Sequence, residues 1–227
     1  MARPGQNLFE QEAATESKSH SLVAAARAAG VRDTRVLAAL GDVPRAAYVR
    51  AASVCEIEAD RPIPIGGAQV TTQPSLVAAM IEALALEGGE RVLEVGTGLG
   101  YQAAILARLA REVWTVERRS ELAEAAERHL AAQGVENVHV ELADGSAGLA
   151  AHEPYDAIVV AAAHPQVPAP LVAQLAPGGR LVQPIGPGGA EAVTLFQREP
   201  GGLVRLGLVT YARFVPLVGR YGFADRG

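Results

Sequence analysis

A short apolar segment followed at once by three alternating glycines is the feature of this sequence that most constrains the fold. Residues 91–95 read Arg-Val-Leu-Glu-Val and predict a strand, Gly96, Gly98 and Gly100 follow it, and a helical pattern begins at Tyr101. Glycine lets a backbone turn tightly and approach a ligand closely, and a helix N-terminus offers free N–H groups. The pattern therefore predicts a strand–loop–helix unit that binds a nucleotide-type cofactor.

Strands and helices alternate through the region that follows Gly88 and Gly89. We predict strands at 91–95, 113–117, 138–142, 157–162 and 180–184, with helices at 101–109 and 120–133. Strands separated by helices indicate a doubly wound, mainly parallel α/β sheet. The last two predicted strands, 192–197 and 203–215, have no room for a crossover helix between them and should be antiparallel.

The N-terminal part does not show this alternation of strands and helices. Residues 1–18 are polar and predict a flexible lead-in, whereas 19–227 should form one domain, because 227 residues suit a single α/β core. Within it we assign 19–87 to N-terminal helices and a loop, 88–190 to the cofactor-binding core and 191–227 to C-terminal strands.

Two helices, at 21–29 and 34–40, precede the loop in that N-terminal part. Prolines and glycines in the segment from Asp60 to Gln69 predict a shaped loop without regular structure. A helix should follow, with Thr72 as its N-cap and Pro74 in its first turn.

The spacing of the glycines helps to choose the cofactor. Dinucleotide-binding folds favour G-x-G-x-x-G, but this chain has G-x-G-x-G with Tyr101 in the next position. Glu94, two residues before Gly96, fits a cofactor with a cationic amino group better than one with an anionic diphosphate. These features favour S-adenosyl-L-methionine over NAD, with a nicotinamide-dependent reductase as an open alternative.

Acidic residues also end the next two predicted strands. Glu117 lies 21 positions after Gly96 and can accept hydrogen bonds from both ribose hydroxyls. Asp144, followed by Gly145, can accept from an adenine amino group. The predicted cofactor-binding residues are Glu94, Gly96, Thr97, Gly98, Gly100, Glu117, Asp144 and Gly145.

Bulk properties restrict the partners. The net charge of −5 disfavours nucleic acid, since phosphate-binding surfaces are usually basic. Residues 1–19 have no apolar signal segment, and no later stretch is apolar for the length of a membrane span. The five histidines show no metal-ligand spacing. We therefore expect a monomeric cytoplasmic enzyme that needs no metal.

Several motifs occur together in one order along the chain, from about residue 37 to residue 219. They are Val43-Pro44-Arg45, Asp60-Arg61-Pro62-Ile63-Pro64-Ile65-Gly66, Gln73-Pro74, Val92 to Gly98, Gly100-Tyr101-Gln102-Ala103-Ala104, Thr115-Val116-Glu117, Gly178 to Val182 and Phe214-Val215-Pro216-Leu217. In this order the chain resembles the protein-L-isoaspartate O-methyltransferase family. The resemblance implies a Rossmann-like class I methyltransferase fold with a seven-stranded sheet, and isoaspartyl-containing proteins and peptides as substrates.

The resemblance also implies roles for particular residues. Asp60, Ile65 and Gly66 would belong to a loop that closes over the substrate, with Val215, Pro216 and Leu217 on the opposite wall. The family loop usually ends Gln-Thr-Ile-Ser-Gln-Pro, whereas residues 69–74 here read Gln-Val-Thr-Thr-Gln-Pro. Thr72 therefore stands where the family has the serine linked to catalysis.

The reaction that the resemblance implies requires the protein mainly to align the carboxylate with the methyl group. A carboxylate with a pKa near 4 is already ionised at neutral pH, so attack on a sulfonium methyl needs no strong general base. We assign Thr72 to positioning the reacting groups. Two other functions stay open: a methyltransferase acting on another carboxylate, in peptide tailoring or on a small molecule, and a cofactor-binding module without turnover.

Overall fold

The computed structural model describes residues 21–49 and 54–225, so the predicted lead-in over 1–18 lies outside the described residues. The N-terminal helices are α1, described over residues 21–28, α2 (Thr34–Asp42) and the short α3 (Val54–Glu58). Asp33 caps α2 by accepting a hydrogen bond from the backbone N–H of Arg35. Helix α1 ends one residue before its predicted end at 29, α2 begins at the predicted Thr34 and ends two residues beyond the predicted Leu40, and α3 was not predicted.

The proline- and glycine-rich segment corrects one prediction. It contains a small antiparallel ribbon, β1 (Pro64–Gly66) and β2 (Gln69–Val70), in place of a loop without regular structure. The pairing continues one step beyond these strands, because the Thr71 N–H donates a 2.8 Å hydrogen bond to the Ile63 carbonyl.

Helix α4 (Pro74–Leu84) follows the ribbon, with Pro74 in its first turn as predicted. The predicted N-cap, Thr72, is wrong, since the N-cap position belongs to Gln73, whose side chain makes no capping bond. The missing cap is supplied from outside the helix, because the Asp60 carboxylate accepts a 2.8 Å hydrogen bond from the Ser75 N–H.

One seven-stranded sheet forms the rest of the molecule, in the order β5-β4-β3-β6-β7-β8-β9. Its elements are β3 (Arg91–Val95), α5 (Tyr101–Ala107), β4 (Glu112–Glu117), α6 (Ser120–Ala132), β5 (Val138–Leu142), β6 (Tyr155–Val160), α7 (Ala169–Gln174), β7 (Leu175–Ile185), β8 (Glu191–Glu199) and β9 (Gly202–Ala212). Strands β3 to β7 are parallel, whereas β8 pairs antiparallel with both β7 and β9. The predicted α/β fold class is confirmed.

The end of the parallel region was only partly predicted. Helix α7 has only six residues, with Pro168 just before it and Pro170 in its first turn, so it leaves no helical periodicity to read from the sequence. Strand β7 begins at Leu175, five residues before the predicted Arg180, and its register against β6 is irregular between Tyr155 and Ala157.

The core lies on both faces of the sheet. Along β3, Val92 belongs to one buried apolar cluster and its neighbour Leu93 to the other, as the alternation of side chains along a strand requires. Helices α2, α4 and α5 cover the Val92 face, while α7 covers the other. The chain runs outward from β3 to β4 and β5 and then crosses back to β6 on the other side of β3, and this reversal of strand order opens a crevice at the carboxyl ends of β3 and β6. Across 21–49 and 54–225, no helix is both long and apolar enough to span a bilayer.

Candidate active site

A cavity of about 1050 Å³, its open mouth included, lies at the carboxyl ends of β3, β4 and β6. Its walls come mainly from the ribbon with residues 69–72, the glycine loop at 95–99, the end of β4 at 116–118, and residues 215–218. The cavity therefore combines the predicted cofactor loop with both predicted substrate segments.

Ten of the predicted site residues line this cavity: Ile65, Thr72, Gly96, Thr97, Gly98, Glu117, Gly145, Val215, Pro216 and Leu217. The other five, Asp60, Gly66, Glu94, Gly100 and Asp144, are not among the lining residues. The contacts of the three acidic residues among these five show what each does instead.

The glycine loop can form because of its backbone conformation and its close packing. Gly96 has φ +99° and Gly98 has φ +57°, values in the left-handed region that side chains rarely adopt. A Cβ on Gly96 would lie 3.3 Å from the Cβ of Ala161, and one on Gly98 would lie 3.3 Å from Cδ1 of Ile65. Larger residues would thus push into β6 or into the ribbon.

Glu117, at the end of β4, is tied to the glycine loop. Its Oε2 accepts a 3.0 Å hydrogen bond from the Gly98 N–H, and its Oε1 accepts from the N–H groups of Arg118 and Arg119, at 2.9 and 3.0 Å. The side chain is only 7% exposed, yet it lines the cavity. These bonds hold an anionic acceptor at a defined place in the wall.

Glu94 lies beneath the glycine loop and is fully buried. Its Oε2 accepts a 2.6 Å hydrogen bond from the Thr115 hydroxyl, which is also 2.6 Å from the hydroxyl of the cavity residue Thr97. Its Oε1 has no partner among the described residues. Burial raises the pKa of Glu94 to about 8, against the opposing effect of the Thr115 hydrogen bond. The carboxyl group is thus an unsatisfied acceptor one layer behind the cavity.

Asp144, at the end of β5, braces the C-terminal segment. Its Oδ1 accepts from the N–H and the hydroxyl of Ser146, at 2.9 and 2.7 Å, and its Oδ2 accepts from the Arg220 N–H at 2.7 Å. Burial works in the opposite direction, but these hydrogen bonds hold the pKa of Asp144 below its usual range. Its neighbour Gly145 lines the cavity, and a Cβ there would lie 2.6 Å from Cγ1 of Val95.

The two predicted loop residues have different positions. Thr72 lines the cavity, and its hydroxyl makes no hydrogen bond to any residue that the structure describes. Asp60 points its carboxylate at the start of α4, where it accepts from the Ser75 hydroxyl and the Gln73 amide, both at 2.7 Å. Asp60 therefore supports the loop that carries Thr72.

The opposite wall is anchored to the end of β6. The N–H of Ala163 donates to the Val215 carbonyl, and the N–H of Leu217 donates to the Ala163 carbonyl, both at 2.8 Å. This pairing places the predicted residues Val215, Pro216 and Leu217 along the cavity. The wall is mainly apolar and Leu217 is buried.

The sequence predicted no role for Arg45, yet this side chain organises the loop. It is 3% exposed, and its Nη1 donates to the carbonyls of Ile57 and Ala59 at 2.9 and 2.8 Å. Its Nη2 donates to the Arg61 carbonyl at 2.8 Å and to the Thr71 hydroxyl at 3.0 Å. The only signal in the sequence is an arginine between a proline and two alanines, which does not reveal a buried guanidinium.

Comparison with known proteins adds a family. The model of the family described as protein-L-isoaspartate(D-aspartate) O-methyltransferase matches residues 17–222. A protein-L-isoaspartate O-methyltransferase of Anaeromyxobacter dehalogenans is 51% identical over 190 residues, covering 83% of this chain and 91% of that protein. Protein-L-isoaspartate O-methyltransferase 1 of Rhodopseudomonas palustris is 50% identical over 199 residues, covering 87% and 81%.

Solved structures agree with these sequence matches. A protein-L-isoaspartate O-methyltransferase structure, 29% identical, superposes with a TM-score of 0.81 over 90% of this chain and 67% of that chain. A Plasmodium falciparum structure described as a protein-L-isoaspartate O-methyltransferase in complex with S-adenosyl-L-homocysteine is 21% identical, with a TM-score of 0.74 over 87% and 97% of the two chains. The second match supports the fold alone.

Proposed function

Because the chain belongs to the protein-L-isoaspartate(D-aspartate) O-methyltransferase family, we propose that it transfers a methyl group from S-adenosyl-L-methionine to the free α-carboxylate of L-isoaspartyl residues in damaged proteins and peptides. The observation that carries this proposal is the single cavity that joins the glycine loop to Thr72 and to residues 215–217. A methyl donor and a carboxylate acceptor would meet there.

The residues present fit the methyl donor. S-adenosyl-L-methionine supplies a methyl group on a positively charged sulfur, and it also carries a cationic amino group but no phosphate. Gly96 and Gly98 would let it approach the backbone closely, and Glu117 offers carboxylate oxygens at the cavity wall. Glu94 is buried behind the loop with its pKa raised to about 8, so Glu117 is the carboxylate that faces the cofactor at neutral pH. An acidic group at this end suits a cation.

The chain's own residues would contribute mainly alignment. Thr72 would position the acceptor carboxylate through a hydrogen bond, since its hydroxyl lines the cavity without a described partner. Ile65 and the apolar wall at 215–217 would exclude water from the reacting charges. Proximity and orientation of this kind can contribute about 7–11 kcal/mol to catalysis.

The direct test is to incubate the protein with radiolabelled S-adenosyl-L-methionine and two peptides of identical sequence, one with an L-isoaspartyl residue and one with L-aspartate. We expect label in the isoaspartyl peptide and none in the aspartyl peptide. If the protein methylates neither peptide but modifies other carboxylates, the alternative acceptor is correct. Binding of the methyl donor without transfer to any aged protein would support a cofactor-binding module.

We further propose that the enzyme acts in the cytoplasm as a monomer, without nucleic acid and without a metal. The net charge of −5 supports a site that does not bind nucleic acid. The site offers hydroxyl, carboxylate and apolar groups, which suffice for methyl transfer to an ionised carboxylate. Within the described ranges, no group of three His, Cys, Asp or Glu side chains is placed to hold a metal.

A further inference from the structure

Arg45 is a buried cation without a contacting anion. Its four hydrogen bonds go to three backbone carbonyls and to the Thr71 hydroxyl, and no carboxylate among the described residues lies within ion-pair distance. A buried guanidinium is costly unless oxygen atoms surround it, and its charge acts strongly on nearby groups because little water screens it. Arg45 does not line the cavity, and the Asp60 carboxylate offsets part of its charge, so Arg45 acts on the cavity through its hydrogen bond to Thr71.

Thr71 lines the cavity and is hydrogen-bonded to Arg45. Its hydroxyl oxygen accepts from Nη2 of Arg45 and from the Ile63 N–H, both at 3.0 Å. A hydroxyl has two acceptor lone pairs and one proton, so both acceptor positions of Thr71 are used. No residue that the structure describes accepts the remaining proton, and Thr71 lines the cavity. This hydroxyl can take part in one further hydrogen bond only as a donor.

We propose that Thr71 donates its hydroxyl proton to the acceptor carboxylate, and that Arg45 is a positioning residue that orients and polarises this hydroxyl. Hydrogen bonds in a chain strengthen one another, and donors to a charged acceptor form the stronger bonds. The inference rests on the proposed function, since it names a second recognition group for the same carboxylate. It is a property of this chain, because isoleucine usually stands at this place in the family loop.

The proposal separates the roles of two neighbouring threonines. Thr71 is fixed by two incoming hydrogen bonds before any substrate binds, whereas Thr72 has no described partner and is free to adjust. A carboxylate has two oxygens with about four acceptor positions, so both hydroxyls can donate to it at once. Thr71 would then supply rigid recognition of negative charge at the acceptor.

The test measures peptide binding in the presence of S-adenosyl-L-homocysteine, which has no methyl group to transfer. Two ligands are compared: an isoaspartyl peptide, and the same peptide with its isoaspartyl α-carboxylate converted to the carboxamide. In Thr71→Val, which keeps the side-chain shape but not the hydroxyl, we expect the Kd of the carboxylate peptide to rise about tenfold or more. The Kd of the carboxamide peptide should change little, and Thr71→Ser should restore carboxylate binding.

Arg45→Lys keeps a positive charge but loses the planar fork of donors. We expect it to weaken carboxylate binding in the same direction as Thr71→Val, with little further loss when the two changes are combined. Additive losses in the double variant would overturn the role of Arg45. Affinity for S-adenosyl-L-homocysteine should stay unchanged in the Thr71 variants, which shows that the cofactor region is intact.

The other outcomes are also decisive. Unchanged binding of the carboxylate peptide in Thr71→Val would overturn the donor role, and equal weakening of both peptides would reduce Thr71 to a purely structural residue. If the unaltered protein binds and methylates isoaspartyl peptide in these cases, the proposed function stands while this inference falls. If the unaltered protein neither binds nor methylates that peptide, both fall together.

Discussion

The Asp60 carboxylate accepts hydrogen bonds from both the backbone N–H and the hydroxyl of Ser75, at 2.8 and 2.7 Å. A residue that precedes the ribbon therefore caps helix α4, which follows the ribbon. The loop between them is closed by this pair, and Thr71 and Thr72 lie inside it.

Replacing Asp60 with alanine should destabilise the protein and disturb the active site together. Loss of a capping acceptor usually costs about 0.5–2 kcal/mol, and Ser75 would also lose the partner of its buried hydroxyl. We expect a fall of about 1–2 kcal/mol in the free energy of unfolding, measured in urea, and a higher KM for isoaspartyl peptide.

Asp33→Ala is the matched control, because Asp33 caps α2 through the Arg35 N–H and does not line the cavity. It should lower stability by a similar amount and leave KM unchanged. Equal effects of the two substitutions on KM would mean that Asp60 affects the site only through overall stability.

Glu94→Gln should change how stability depends on pH. The pKa of Glu94 rises from its ordinary value of 4.5 to about 8 because the group is buried. Between these values the folded protein keeps a proton that the unfolded chain has lost, so stability contributed by this group falls as the pH rises. The slope is at most about 1.4 kcal/mol per pH unit.

Glutamine does not titrate, so Glu94→Gln should remove this part of the slope. Urea unfolding of both proteins at pH 6, 7 and 8, without cofactor, measures it. The stability of the variant relative to the unaltered protein should increase across this series. A constant difference at all three pH values would contradict the raised pKa of Glu94.

Gly98→Ala should weaken cofactor binding beyond its effect on stability. The residue has φ +57°, and an added Cβ would lie 3.3 Å from Cδ1 of Ile65 at the cavity wall. We expect the Kd of S-adenosyl-L-homocysteine, measured by calorimetry, to rise about tenfold, which corresponds to about 1.4 kcal/mol.

Gly134→Ala provides the comparison, since Gly134 has φ +65° and no atom within 4 Å of an added Cβ. Both substitutions place alanine in the left-handed region, at a cost of roughly 1–2 kcal/mol. Only Gly98→Ala should affect the Kd. Similar affinities in the two variants would show that the close contact with Ile65 is unimportant for binding.

Thr72→Val should lower kcat for methylation of an isoaspartyl peptide, while Thr72→Ser should keep most of it. A hydrogen bond to a charged group contributes about 1.5–3 kcal/mol, so tenfold or more is expected from loss of the hydroxyl. Steady-state kinetics at saturating cofactor measure the effect. Full activity of the valine variant would exclude the positioning role proposed for Thr72.

Most of the parallel core could be predicted because its elements from β3 to β6 have local signals. Strand β3 ends at the residue before Gly96, and the predicted bounds of β5, Val138 and Leu142, are those of the structure. The local pattern of apolar residues is enough to identify strands of this kind. The short α7, rich in proline at its start, and the ribbon at β1 and β2 have no such signal. Both are stabilised by contacts with distant parts of the chain.

Site residues could be predicted where a position at the end of a strand determines their role. They could not be predicted where the role depends on contacts with residues distant in the sequence. The glycines and Glu117 stand at strand ends, so topology alone brings them to the cavity. Asp60 and Asp144 were also predicted to take part in binding, but their carboxylate oxygens accept hydrogen bonds from the backbone N–H groups of Ser75 and Arg220. The role of Arg45 was not predicted, because its four hydrogen-bond acceptors belong to residues 57, 59, 61 and 71, which only the fold brings close to it.

The wall at residues 215–217 is paired with Ala163 and lies across the cavity from the ribbon. A chain emerging from the ribosome exposes its N-terminal residues first, so the ribbon and the glycine loop would be synthesised well before this wall. A truncated product that stops before residue 215 would carry the residues proposed to bind the cofactor, but it would have no closing surface for the acceptor. It would also lack the buried Leu217 and the Arg220 N–H that bonds to Asp144, so the segment after residue 214 completes both the core and the cavity.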